Sequence, residues 1–345
     1  MESLENTQKL SGYQGNSNVT SSHTSSPLAT AAGLLSDHAT QIFFIVNYVV
    51  LSTVISLVGI VANSLNICVL VRQGFSNSMN ISFMGMAVSD MASLVTLLWL
   101  NVCLCPFLDG VFNEIHYLFG AWLHGCAARI TGWITVYITI ERYLSIARPL
   151  RVKQMVTPRR TALTVAGIYA VNLFTLVPEV LTVYLDWNMF SGPTLHAMHN
   201  LGSSVGSLTV EGLVFAVHAA LTMLAFVALA IFTIVLVIKL KENATWRKKV
   251  TSDRNQTESI SARDRKVVKL IITVATLLIV CYVPTVTLSI VSCSVPAFSL
   301  IGKESNIFYV AWSFAFITHS INSSVIVVLY VKMSSRYRQT FSIMF

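Results

Sequence analysis

Charge is what this sequence has least of. Lys, Arg, Asp and Glu make up 11% of its 345 residues, where a soluble domain carries roughly a quarter. With 54% of residues in the hydrophobic set and a mean hydropathy of +0.68, the shortage excludes the pair of ordinary soluble domains that the length alone would permit. Acid is scarcer than base, 15 residues against 23, for a net charge of +8. Nucleic-acid binders gather such charge into patches on a polar surface. Here it is thinly spread over an apolar chain, so membrane lipid is the expected partner and nucleic acid is not. Six cysteines are too few for a disulfide scaffold at this length. Also missing are the alternating strand pattern of a membrane barrel, a nucleophile and base set, and close His or carboxylate spacing for a metal. Neither an enzyme nor a metal centre is expected.

Long apolar runs are what the chain does have. A bilayer core about 30 Å thick takes about 20 helical residues, and seven segments reach that length with few charges: 42–71, 81–105, 116–147, 161–185, 211–238, 267–292 and 307–331. Backbone groups in lipid must be satisfied within the segment, so the sequence predicts an all-α membrane protein, a seven-transmembrane helix bundle. Residues 1–41, rich in Ser, Thr and Asn and without an apolar stretch like that of a cleavable signal, form the expected disordered N-terminal tail. The membrane domain is 42–331, and 332–345 is a short end piece.

Loop charge orients the bundle. Eighteen of the 23 Lys and Arg fall in the first, third and fifth connections and the C-terminal end, against Lys9 and Lys303 on the other side. The positive-inside rule then places the N-terminus outside the cell and the C-terminus in the cytosol, as in a multi-pass protein of the plasma membrane. Asn18, in Asn18-Val19-Thr20, is on that reading a usable glycosylation acceptor, whereas Asn243 and Asn255 head cytosolic sequons.

The remaining three basic residues lie within predicted helices, where charge is costly and marks function by default. Lys269 is near a helix end and can snorkel. Arg142 belongs to Glu141-Arg142-Tyr143 at the cytosolic end of the third helix, where acid and guanidinium can pair until another group competes. Arg129 is thirteen residues earlier, about 20 Å deeper at 1.5 Å per residue. It needs an acid, carbonyls, water or an anionic ligand group. Glu179 and Glu211 are the candidate acids, and both an internal ion pair and a ligand contact stay open. Around it, Trp99, His124, His218 and Tyr282, with Tyr309, Trp312, Phe316 and His319, occupy outer halves of helices as pocket candidates, although aromatics at helical spacing are mostly packing residues.

Taken together, Asn63 in the first helix, Asp90 in the second, Glu141-Arg142-Tyr143 in the third, Cys281-Tyr282-Val283-Pro284 in the sixth, and Asn322-Ser323 with Tyr330 in the seventh resemble a rhodopsin-like (class A) G-protein-coupled receptor over residues 42–341. Trp133 to Thr157 further resembles invertebrate, especially molluscan, receptors grouped with FMRFamide-type peptide or chemosensory receptors. The resemblance implies a short membrane-parallel eighth helix around Ser335–Phe341 and a heterotrimeric G protein bound at the cytosolic ends of helices three, five and six. Arg142 would contact that partner, Leu150 would add an apolar contact, and Tyr330 and the Cys281, Tyr282, Pro284 group would act as switches. It also implies a polar core of Asn63, Asp90, Thr131, Asn322 and Ser323, which either holds a sodium ion or contains a protonated Asp90 bonded to Asn322. Sodium is the single cofactor candidate.

The departures are specific. The fourth segment has no Trp and the fifth no Pro, Tyr282 stands where the family has Trp, and of the family's Asn-Pro-x-x-Tyr only Tyr330 is kept. The helix-three cysteine is replaced by Tyr117, leaving Cys103, Cys105 and Cys293 as alternatives for a bridge. A retinal protein would need a Lys in 307–331, and there is none. A transporter would show two related halves, and no repeat is found. The expected function is a receptor that binds an extracellular ligand, a neuropeptide first and a small environmental molecule as alternative, and activates a G protein.

Overall fold

Eight helices follow the predicted order in a computed structural model that describes residues 34–108, 114–178, 183–188, 192–197, 205–250, 255–299, 302–333 and 335–344. They are α1 (Asp37–Gln73), α2 (Ser78–Cys103), α3 (Glu114–Ala147), α4 (Pro158–Phe174), α5 (Val205–Val250), α6 (Asn255–Ser294), α7 (Ser305–Met333) and α8 (Ser335–Met344). A short loop helix, Pro149–Met155, joins α3 to α4. All described residues belong to one unit, Gly33–Phe345. Asn18 and most of the predicted tail lie outside the described residues. The tail boundary at 41 falls inside α1, whose N-cap is Ser36, with its Oγ accepting from the Ala39 amide at 3.3 Å.

Local chemistry sets the other ends. α1 carries a π-helical stretch, Ile45–Ser52, and stops at Gly74, whose φ of 77° is open to glycine at no steric cost. Asn77 and Thr157 cap α2 and α4 through their side chains, and prolines occupy the first turn of both the loop helix and α4.

Among the described residues, five helical stretches are long and apolar enough to cross a membrane: Asp37–Gln73, Ser78–Cys103, Leu213–Asn243, Val268–Ser294 and Ser305–Lys332. With α3 and α4 they form the seven-helix bundle. Its helices are polar inward and apolar outward. On α1, Ser56, Asn63 and Asn66 are fully buried, whereas Val58 and Val61 are each 62% exposed. Lipid provides no hydrophobic drive between helices, so close packing and polar contacts must hold them. Gly85 of α2 lets Val165 of α4 approach, and the Tyr169 hydroxyl donates to the Gly85 carbonyl at 2.7 Å. Central α3 touches α2, α4, α5 and α6.

The fourth span differs from the sequence reading. Its apolar run extends to 185; α4 ends at Phe174, helical backbone resumes at Val177 and Pro178 after a two-residue turn, 179–182 lie outside the described residues, and Val183–Asn188 pairs antiparallel with Gly192–Ala197, Val183 opposite Ala197 and Asn188 opposite Gly192. α5 and α6 consume most of the 239–266 connection as helix. All six cysteines are free thiols, so no substitute bridge joins Cys103 or Cys105 to Cys293.

Candidate functional site

In the half of the bundle away from Arg142, α3, α5, α6 and α7 enclose a cavity of about 130 Å³. Six of the sequence-predicted pocket residues, His124, Arg129, His218, Trp312, Phe316 and His319, line it, as does Tyr282. Trp99 of α2 does not: it is 43% exposed and packs over Gly120 of α3. Tyr309 does not either, and packs against Phe44 of α1 at a centroid distance of 6.1 Å. Glu179 lies outside the described residues, and of Glu211 only its place in α5 is described.

Tyr282 forms the floor. Its hydroxyl donates to the Ala128 carbonyl of α3, and its ring lies 4.6 Å from that of His319. The close approach needs Gly132, where an added Cβ would come within 3.1 Å of the Tyr282 oxygen. His319 Nε2 is 2.8 Å from Thr285 Oγ1, tying α7 to α6 next to Pro284. That proline leaves the Val280 carbonyl without its helical donor, and Thr318 of α7 donates to the adjacent Cys281 carbonyl at 3.1 Å. His124 Nδ1 is 3.0 Å from both the hydroxyl and the carbonyl of Ser93.

Arg129 is 4% exposed, and its partner is not a carboxylate. Nε donates to Asn172 Oδ1 of α4 at 3.4 Å, a long and weak bond, and Nη2 has no hydrogen-bond partner among the described residues. Asn172 holds this position by donating to the Ile168 carbonyl at 2.9 Å. His218 of α5 sits edge-on to Trp122 at 4.7 Å and hydrogen-bonds the Thr175 carbonyl at 3.1 Å, which makes Nε2 the protonated nitrogen.

Deeper in the bundle the polar core is assembled. Asp90 Oδ1 accepts from Thr131 and from Ser323, both at 2.9 Å, and Ser89 meets Thr131 at 2.7 Å. Asn63 donates to the Ser323 carbonyl at 2.8 Å. Asp90 Oδ2, Asn63 Oδ1 and Asn322 Oδ1 are buried with no partner among the described residues. The hydrogen bonds of Asp90 thus run to Ser323 and Thr131. Three unpartnered oxygens are the donor type a hard cation takes.

At the far end of α3, Glu141 is buried with Oε2 unpartnered among the described residues, and Arg142 and Tyr143 beside it are half-buried. Leu150 stands 90% exposed on the loop helix. Tyr330 is buried between Phe83 of α2, 4.7 Å away, and Tyr337 of α8, 5.7 Å away. Asn243 of α5 donates to the Ile146 carbonyl at 3.2 Å, joining two of the helices expected at a partner surface.

Sequence reasoning missed Trp122, Phe215, Thr222, Thr285, Ser289 and Phe308 in the cavity wall and Asn172 behind it. Their apolar or small-polar character is common to every face of these helices. Only helix rotation selects them. Trp122 could have been found from its place two turns before Arg129, on the same face of the same helix.

Helices that turn polar faces inward around a hollow at one end and a buried acid with an adjacent arginine at the other define a heptahelical G-protein-coupled receptor of class A. Residues 50–345 match the family described as the serpentine type 7TM GPCR chemoreceptor Srw, and the chain belongs to that family. Its members are signalling receptors rather than enzymes. The chain is similar to the galanin-like G-protein coupled receptor npr-9 of Caenorhabditis elegans, 27% identical over 36% of this chain and 29% of that one. It is also similar to galanin receptor 2a of Danio rerio, 27% identical over 67% and 61% of the respective chains. A third relative, somatostatin receptor type 4 of Rattus norvegicus, is 23% identical over 83% and 69%. The chain thus spans less than two thirds of the length of the first two relatives.

Proposed function

We propose that this chain is a peptide-activated receptor of the plasma membrane, with its N-terminus outside, that couples ligand binding in the α3, α5, α6, α7 cavity to a heterotrimeric G protein on the cytosolic side. The observation that carries this is the tie that Tyr282 makes between α6 and α3 at the cavity: its ring lines the cavity and its hydroxyl donates to the Ala128 carbonyl of α3. A ligand group that displaces Tyr282 and His319 frees α6 to pivot at Pro284, which opens the cytosolic end beside Arg142. Leu150 then offers an exposed apolar contact. A sodium ion held by Asp90, Asn63 and Asn322 oxygens would favour the closed arrangement. The peptide assignment is supported by relatives named as galanin and somatostatin receptors.

A small environmental ligand is the second reading. It is favoured by the chemoreceptor description of the family and by a cavity of about 130 Å³, which admits one side-chain-sized group. The deciding experiment expresses the protein, screens peptides and small molecules for G-protein activation, and repeats each hit on Arg142→Ala. Activation unaffected by that substitution overturns the coupling role, and nucleotide exchange with no G-protein class overturns the receptor reading.

A further inference from the structure

Arg129 is a buried guanidinium with no carboxylate partner among the described residues. It lines the cavity, is 4% exposed, and makes one long hydrogen bond, 3.4 Å from Nε to the neutral amide of Asn172. Among the described residues Nη2 is unpartnered and no Asp or Glu lines the cavity. Removing a cation from water without a partner is costly, so a group that gains nothing structural from Arg129 is expected to be completed by the ligand. A second polar atom nearby is also incomplete. His218 uses Nε2–H on the Thr175 carbonyl, which leaves Nδ1 an acceptor, and that atom is buried and unpartnered. The walls are aromatic: Trp122, Phe215, Phe308, Trp312 and Phe316.

We propose that Arg129 receives a carboxylate of the ligand, and that the group seated here is an aromatic residue carrying a free carboxylate and an acylated N–H, the chemistry of a free peptide C-terminus. The guanidinium fork matches a carboxylate in two parallel hydrogen bonds and the His218 Nδ1 acceptor takes the N–H once these two side chains, whose unpartnered atoms are closed off without ligand, turn toward the cavity; the ring packs between the aromatic walls. The volume of about 130 Å³ is that of one aromatic side chain, so the ring is what the cavity takes and the rest of a longer ligand lies outside. This rests on the cavity being the ligand site proposed above, and it names the chemistry that site selects.

The test uses the purified full chain in detergent and two probes that differ in one group, N-acetyl-phenylalanine and N-acetyl-phenylalanine amide. The acid is expected to bind the wild-type protein and raise its melting temperature. Binding should weaken about thirtyfold or more in Arg129→Gln, the loss that follows from removing one partner of a buried charge pair, and less in Arg129→Lys. The amide should bind both proteins weakly. Without ligand, Arg129→Gln should melt no lower than wild type, because a neutral amide is cheaper to bury than an uncompensated guanidinium. Equal binding of acid and amide, full binding of the acid by Arg129→Gln, or no binding of the acid to wild type each overturns the proposal. So does a lower melting temperature for unliganded Arg129→Gln, which would make Arg129 a structural tie. None of these readouts involves a G protein, so failure of the receptor reading, seen as absent nucleotide exchange, is scored separately.

Discussion

At the scale of single residues, the buried polar groups divide into those that are satisfied and those that are not. Tyr282 is satisfied through Ala128, so Tyr282→Phe should cost about 1 kcal/mol of stability. It should also raise ligand-independent nucleotide exchange, because the tie from α6 to α3 is lost; unchanged basal exchange would remove Tyr282 from the switch. Asp90 has one bonded and one unpartnered oxygen. Sodium, compared with choline, should raise the melting temperature of the wild-type protein and leave that of Asp90→Asn unmoved, since the amide lacks the charge a cation needs. How far such roles could be read in advance depends on cost. A charge in a membrane helix is conspicuous, so Arg129 and Asp90 stand out in the sequence. Their partners do not, because Asn172 is 43 residues from Arg129 and neutral, and Ser323 is one of many serines. Trp99 illustrates the converse: its neighbours Leu97 and Leu100 are fully buried while it faces outward, a matter of helix rotation that the apolar Leu97-Leu98-Trp99-Leu100 run does not encode.

At the scale of elements, ends and kinks follow local chemistry. Gly74→Ala places a Cβ at a φ of 77° and should destabilise by about 1 kcal/mol, measured as a lower melting temperature, although nothing crowds the site. Pro284→Ala restores the amide donor to the Val280 carbonyl and should leave thermal stability unchanged or raised. Agonist-driven exchange should fall if the pivot of α6 lies there, and full signalling with that substitution would place it elsewhere. The caps at Ser36, Asn77 and Thr157 and the prolines after Arg148 and Thr157 are legible, since each acts within one turn. The end of α4 is not. Apolar residues run on to 185, yet α4 breaks at Thr175 and Leu176 before helical backbone resumes at Val177, and from Val183 strand pairing with Gly192–Ala197 claims the backbone, a competition decided by a partner strand rather than by the run itself.

At the scale of the whole molecule, the scarce charge is distributed by side. Arg142→Ala should abolish agonist-stimulated nucleotide exchange while ligand binding persists. Leu150→Ala, at a position 90% exposed, should leave stability within about 0.5 kcal/mol of wild type and weaken G-protein activation; intact coupling would exclude the loop helix from the partner surface. Composition, run length and the bias of Lys and Arg to alternate connections are enough to specify a seven-helix membrane bundle, because the bilayer acts on each segment independently through length, hydropathy and flanking charge. What tertiary structure alone decided is which faces meet: the cavity between α3, α5, α6 and α7, the Asp90, Thr131 and Ser323 cluster, and the pairing of Arg129 with Asn172. In lipid the apolar pattern no longer marks the inside of a helix, so rotation is set by close packing at glycines and by polar contacts across the bundle, which exist only once all the helices are in place.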